Sequence, residues 1–265
     1  MKIGKKLISM IIILNLTGTI ALAGTILALA QKQIRGLINN EMTNLAKENA
    51  LEIRTWLELY LDTARSIGQV MSNYEEIDRE ERRYFFNTMI RTMVEKNPDI
   101  FAASSVWEPN ALDGLDAEFA NTAGTDHTGR FIPYWFRGPA GVTMEPLADY
   151  DVPGVGDYHL IPKQTGNETV IEPYYEYDIN GHKLLVTTLV MPIKNKGRFV
   201  GSMGIDIEIT AIQQQVEEIK PYEKTIAVVY SNGGLVSGHF DPSRVGKPMA
   251  ETEKDIAGPY LDDLR

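Results

Sequence analysis

The sequence predicts an α+β protein: a membrane-length apolar helix, a long spine helix, and a mostly antiparallel sheet flanked by further helices. Three observations predict it. The uncharged run ISMIIILNLTGTIALAGTILALA fills Ile8 to Ala30. From Gln31 to about Asn73 there is no proline, and apolar residues recur at helical spacing. The β-branched runs LLVTTLVMPI and FVGSMGIDI are joined by the short Asn195-Lys196-Gly197 turn, an antiparallel hairpin without the βαβ alternation of a doubly wound sheet.

Residues 1–7 form a basic tail carrying Lys2, Lys5 and Lys6. Residues 8–30 follow as a transmembrane helix of about 23 residues, roughly 34 Å long at 1.5 Å per residue. The basic residues before it place the amino terminus in the cytoplasm and the remainder outside. Ala28-Leu29-Ala30 also fits a signal-peptidase site, and the length of the apolar run favours the uncleaved anchor. Residues 31–76 are the spine helix. Its stripe runs from Ile34, Leu37, Ile38 and Met42 to Trp56, Leu57, Tyr60 and Leu61. The stripe fits pairing with a second copy, and equally a helix lying on its own domain.

A second helix is predicted from about Asp78 to Glu95, with Asp78 as cap and Phe85, Met89, Ile90, Met93 and Val94 inward. Asn97-Pro98 ends it, and Ile100 to Trp107 reads as a buried strand. After Glu108-Pro109 comes a loop to Gly129 whose Asp113, Asp116 and Asp126 lack calcium-loop spacing, so it is expected to be solvated. The stretch GRFIPYWFRGPAGVTMEPLADYD, Gly129 to Asp151, mixes rings, charges and Pro/Gly breaks too densely for a helix or strand interior. It is expected to be a functional loop that captures a small polar or cationic molecule; rings capping a sheet are the alternative.

Beyond it, Thr169 to Tyr175 is a strand, Asp178-Ile179-Asn180-Gly181 a turn, and Leu184 to Ile193 and Phe199 to Ile207 the hairpin. Glu208 to Ile219 is a helix with Ile212, Val216 and Ile219 inward. Thr225 to Tyr230, the Asn232-Gly233-Gly234 turn and Leu235 to His239 form another hairpin. Residues 77–220 are thus expected to form one module. Residues 221–265 begin a second one, incomplete, and the chain is expected to be truncated there.

A net charge of −10 argues against nucleic acid as partner, and the lack of cysteine excludes disulfides and thiolate metal sites. There is no G-x-S-x-G, no H-E-x-x-H and no phosphate-binding loop, so no catalytic role, cofactor or metal is expected. His127, His159, His182 and His239 follow no ligand spacing and are expected on the surface or in loops. The paired carboxylates Asp149 and Asp151 suit ligand binding or structure better than acid–base chemistry.

The basic tail and span, the long helix, the loop PYW, and then VIEPYYEYDINGHKLLVTTLVMPI and FVGSMGIDI resemble the double Cache sensor domain of bacterial methyl-accepting chemotaxis receptors and some sensor kinases. The resemblance covers about residues 1–250. It implies two modules on one long helix, with ligand held in a membrane-distal, PAS-like antiparallel-sheet module at 77–220. It also implies a sensor facing the periplasm from the inner membrane, a homodimer through the long helix, and output through HAMP and signalling domains. In amino-acid-binding members a motif of Arg, one spacer, Trp and Tyr grips the ligand carboxylate. Here Ile132 stands where the arginine would be, with Tyr134 and Trp135 after it; Arg137 is a substitute two residues further on. The two acidic positions that grip the amine fall at Glu176 and Asp206, beside Tyr174. Asp206 could instead cap the following helix, and Tyr174 could be core. With Trp107 and Asp149, these make the expected ligand-binding set: Trp107, Tyr134, Trp135, Arg137, Asp149, Tyr174, Glu176 and Asp206. The expected ligand is a biogenic amine, polyamine or other cationic nitrogen compound, with an amino acid second. The alternatives are the sensing half of a histidine kinase or cyclase, a structural adhesin and, more remotely, an anchored extracytoplasmic hydrolase.

Overall fold

The computed structural model describes residues 2–138, 141–177, 183–220, 222 and 225–254. Helix α1 spans Lys2–Ser72, and the chain divides into two units, residues 1–56 and 57–265. In the first unit, the apolar side chains of the helix between Leu7 and Leu29 are exposed. This helix is long and apolar enough to cross a membrane.

The second unit begins with the last turns of α1, where Leu61, Ala64 and Met71 are buried. Arg65 on this stretch forks onto both carboxylate oxygens of Glu168 at 2.7 and 2.5 Å. Helix α2 spans Arg82–Lys96, starting four residues later than the Asp78 cap predicted. A 3-10 turn at Tyr74–Glu76 and the bond from Arg82 Nε to the Ile77 carbonyl (3.0 Å) occupy the intervening chain. Strand β1 (Ile100–Trp107) is buried throughout, as its unbroken apolar and small residues require.

The Gly129 to Asp151 stretch is not one long loop. Strands β2 (Pro133–Gly138) and β3 (Gly141–Pro146) form an antiparallel hairpin within it, with Trp135 opposite Met144. Helix α3 (Asp157–Thr165), which the sequence reading missed behind its Pro/Gly turn, follows; then come β4 (Thr169–Val170) and β5 (Tyr174–Tyr177). The predicted strand from Thr169 to Tyr175 is therefore interrupted at residues 171–173, next to Pro173, which has no N–H to give a ladder. The 178–181 turn and His182 lie outside the described residues. Strands β6 (Lys183–Asn195) and β7 (Arg198–Glu208) form the expected hairpin, and Lys196 and Gly197 take φ values of 52° and 80° at its tip. The sheet order is β3-β2-β1-β7-β6-β4, with β5 also pairing β6, and every pairing is antiparallel.

Helix α4 (Thr210–Glu218) buries Ile212 and Val216 against β9 (Val236–His239), the partner of β8 (Val228–Tyr230). Close contact requires glycine on that strand: a Cβ at Gly238 would lie 2.8 Å from the Val216 side chain. A short helix α5 (Met249–Thr252) closes the described chain.

Two expectations about polar residues are corrected. The 109–129 loop is not simply solvated: Asp113 and Asp116 are buried and paired with the buried Arg83 at 2.6 and 2.7 Å. Arg83 also donates to the Gly129 carbonyl at 2.9 Å and stacks over Phe119. His159 and His239 are fully buried rather than at the surface. The charge pattern alone could not reveal either, because both depend on groups brought in from distant positions.

Candidate functional site

Residues opposite one another on neighbouring strands share a face, and successive residues alternate between faces. Ser104 opposes Tyr134 and Gly204, while Asp206 opposes Thr188; Tyr174 and Glu176 on β5 project on that same side. This face forms the floor of a cavity of about 790 Å³. Glu145 to Asp149, Asp157, Tyr158 and Ile161 of α3, and the 170–176 segment wall it. The volume suits a small organic ligand.

Asp206 sits at the floor with 3% of its surface exposed, accepting a hydrogen bond from the Tyr134 hydroxyl at 3.0 Å. Tyr134 stacks on Phe136, and the Tyr174 hydroxyl meets Thr188 Oγ1 at 2.8 Å. Burial pushes the Asp206 carboxyl up to about 7, with nearby Glu176 adding to the rise, while hydrogen bonds from Thr188 and Tyr134 oppose it. Burial first, and the Asp206 charge second, likewise raise both phenols, which keeps Tyr134 and Tyr174 as neutral donors. Glu145, Asp149, Asp157, Glu172, Glu176 and Asp206 all line the cavity; among the described residues no Lys, Arg or His does. Such a lining is acidic and complementary to positive charge.

Helix α3 is pinned from behind. His159 Nδ1 lies 2.9 Å from Ser202 Oγ and Nε2 lies 3.0 Å from Glu108 Oε1, which Lys163 also meets at 2.9 Å. Burial lowers the His159 pKa, and the hydrogen bond from His159 is the largest cause holding Glu108 at about 2. A neutral ring then donates from Nε2 to the carboxylate and accepts at Nδ1 from the serine. The same helix presents Tyr158 and Ile161 to the cavity.

Of the eight residues expected to bind ligand, Tyr134, Asp149, Tyr174, Glu176 and Asp206 meet at this cavity. Trp107, Trp135 and Arg137 do not line it. They sit at odd positions of strands whose even positions face the cavity, so they project to the helix side. Trp107 packs against Tyr74 and Phe86; Trp135 donates to Asn87 Oδ1 on α2 at 3.1 Å, with Arg91 over its ring. Arg137 donates to the carbonyls of Val94, Asn97 and Ile100, closing the carboxyl end of α2. Reading the segment as loop hid this alternation. Glu145, Asp157, Tyr158, Glu172 and Thr188 were not anticipated, although Glu172 stands inside the E-P-Y signature and Thr188 directly follows L-V-T.

A single antiparallel sheet with a ligand-sized cavity beneath overlying loops is the build of a small-molecule sensor domain. Residues 86–214 match the methyl-accepting chemotaxis protein-like, first PDC sensor domain family, a sensor family typically non-catalytic. The chain is 28% identical over 204 residues to the methyl-accepting chemotaxis protein TlpQ of Pseudomonas aeruginosa, covering 71% of this chain. It spans about 28% of the length of that curated relative. The extracellular domain of the histidine kinase mmHK1S-Z2 superposes with a TM-score of 0.67 at 28% identity, over 80% of this chain and 78% of that one. The ligand-binding domain of the Pseudomonas aeruginosa PAO1 amino acid chemoreceptor PctC, in complex with GABA, shares the fold with a TM-score of 0.53 at 14% identity. That match covers 80% of this chain and 79% of that one.

Proposed function

We propose that this chain is the membrane-anchored, extracytoplasmic sensing part of a bacterial chemotaxis receptor, and that its cavity binds a small amine-bearing molecule. Residues 8–30 are the anchor in the inner membrane and residues 31–76 the spine, through which two copies pair. Residues 77–220 are the membrane-distal, ligand-binding module in the periplasm, and residues 221–265 begin the membrane-proximal one. The observation that carries the ligand assignment is Asp206: a buried carboxylate on the cavity floor, hydrogen-bonded by a neutral phenol, with no Lys or Arg paired to it among the described residues. An ammonium group supplies the missing counter-charge, and Tyr134 and Tyr174 offer ring faces beside it. Asp149 and Glu176 add acceptors around it.

An amino acid is the second choice, because carboxylate recognition needs a cation and Arg137 is committed to backbone carbonyls on the other face. GABA bound to the PctC domain carries both an ammonium and a carboxylate; among the described cavity residues the first meets carboxylates and the second meets no Lys, Arg or His. The sensing half of a histidine kinase stays the second reading of the output, on the 28% identity to the mmHK1S-Z2 domain.

The test is a thermal-shift panel on the full chain in lipid nanodiscs, with primary amines, diamines, amino acids and dicarboxylates. An amine at a hundred times its Kd is expected to add about 2.7 kcal/mol, or roughly 5–10 °C in Tm. A folded sample that responds to dicarboxylates and to no amine sinks the assignment. Arg137→Ala is expected to lower Tm by several degrees, about 1–3 kcal/mol, yet leave the amine shift intact. Loss of the amine response with unchanged Tm would return Arg137 to the ligand set.

A further inference from the structure

The wall formed by residues 171–176 has two sides. One lines the cavity; the other is tied to the β8–β9 hairpin. Glu172 Oε1 accepts a hydrogen bond from the Gly233 backbone N–H at 2.8 Å, across the turn between those strands. The approach is close: a Cβ on residue 233 would stand 2.8 Å from Glu172 Oε2, so a side chain there would displace the carboxylate. Three residues on, the Tyr175 hydroxyl donates to the Val245 carbonyl at 3.5 Å and fills the space a side chain at Gly246 would need.

We propose that Glu172 is a further ligand-binding residue, taking a second positive charge on the ligand, and that through Gly233 it reports occupancy to the β8–β9 hairpin. The proposal rests on the amine reading above. Asp206 is buried on the cavity floor, whereas Glu172 stands exposed at its wall, so a ligand reaching from one to the other would meet a carboxylate with each of two positive charges. The Gly233 N–H already holds the carboxylate in place, which reduces the rotamer freedom lost on ligand capture. A ligand that fixes Glu172 also fixes its bond to the turn. By reciprocity, loosening that turn weakens the ligand to the same degree. A ligand ending short of Glu172 has no such difference to impose.

Calorimetric titration of the full chain in nanodiscs with 1,4-diaminobutane and with butylamine tests this, together with hydrogen exchange at residues 228–239. The diamine is expected to bind about tenfold tighter than the monoamine, and only the diamine to slow exchange at the Gly233 amide. Glu172→Gln, which keeps the acceptor and loses the charge, is expected to erase the tenfold preference and leave butylamine unchanged. Gly233→Ala, outside the cavity, is expected to reduce the same preference. Persistence of the preference in Glu172→Gln overturns the proposal, as does equal weakening of both amines, which would make Glu172 a support of the wall. Identical hairpin exchange with both amines overturns the coupling. If neither amine binds the wild-type chain while it remains folded, the ammonium reading itself fails, and Glu172 with it.

Discussion

Asp206→Asn is expected to abolish amine binding and, in the same protein, to raise the stability of the unliganded state above pH 7. Both effects follow from one buried carboxyl. Its pKa is held at about 7 in the fold against an ordinary 3.8, chiefly by burial. The folded protein therefore holds a proton there that the unfolded chain gives up near pH 4. Between those values stability falls as pH rises, because the folded state binds more protons than the unfolded one. The full cost, up to ~4 kcal/mol for a shift of about three units, is present above pH 7. Asparagine keeps the shape, carries no charge and removes that slope.

Ligand binding runs the other way. An ammonium is held by the ionised form, so the affinity of a wild-type amine ligand should be highest above pH 7, while the amine itself stays protonated. It should fall by up to tenfold per pH unit below that. The groups facing Asp206 leave it alone in this range: Tyr134, Tyr158 and Tyr174 stay neutral, and Glu176 opposes the same charge. Calorimetry from pH 5.5 to 8.5 checks the profile, and titration at pH 6 in buffers of different ionisation heat should reveal a released proton. An affinity flat across this range, or wild-type binding by Asp206→Asn, removes Asp206 from the site.

Arg83→Ala is expected to be the most damaging single substitution outside the cavity. Arg83 lies 7% exposed between Asp113 and Asp116, themselves 6% and 5% exposed, and donates to the Gly129 carbonyl besides. Removing it strands two carboxylates away from water, at ~3–5 kcal/mol, or about 6–20 °C in Tm for a unit of this size. Lysine should not rescue, since one ammonium cannot reproduce a fork onto two carboxylates and a carbonyl. Arg83→Met combined with Asp113→Asn and Asp116→Asn should recover much of the loss. Chemical denaturation of the three variants checks the series. Equal stability of wild type and Arg83→Ala would mean that the loop from residue 110 to 130 does not depend on the ion pairs.

The elements most legible in the sequence were those written by period and length alone. The apolar run at residues 8–30, the proline-free helix after it and the β6–β7 hairpin carry their hydrophobic pattern locally, and β1 falls at residues 100–107 as expected. Glu176 and Asp206 were placed through the E-P-Y and G-I-D-I signatures, and the cavity contains both. Trp107, Trp135 and Arg137 were drawn into the expected site by their residue types. What set them apart from the cavity was strand parity, which for Trp135 and Arg137 is visible only once residues 133–138 are known to be a strand, and for Trp107 only once the cavity-facing side of β1 is known. The carboxylates of Glu145, Asp157 and Glu172 belong to a hairpin, a short helix and a wall segment with little pattern of their own, and only the closed cavity brings them together.

What the sequence by itself determined is the long first helix with its membrane-length run, strand β1, the β6–β7 hairpin and the absence of any arginine in the motif position at residue 132. These are properties of neighbouring residues and survive in an extended chain. The tertiary structure decided which side chains share a face, which carboxylates are stripped of water and which cations are already spent. Arg83 and Arg137 are taken by groups 30 to 46 residues away in sequence, and among the described residues no Lys or Arg joins Asp206 at the cavity. Burial and pairing depend on distance in space, so the acidic lining of this cavity came into view only when the sheet was folded.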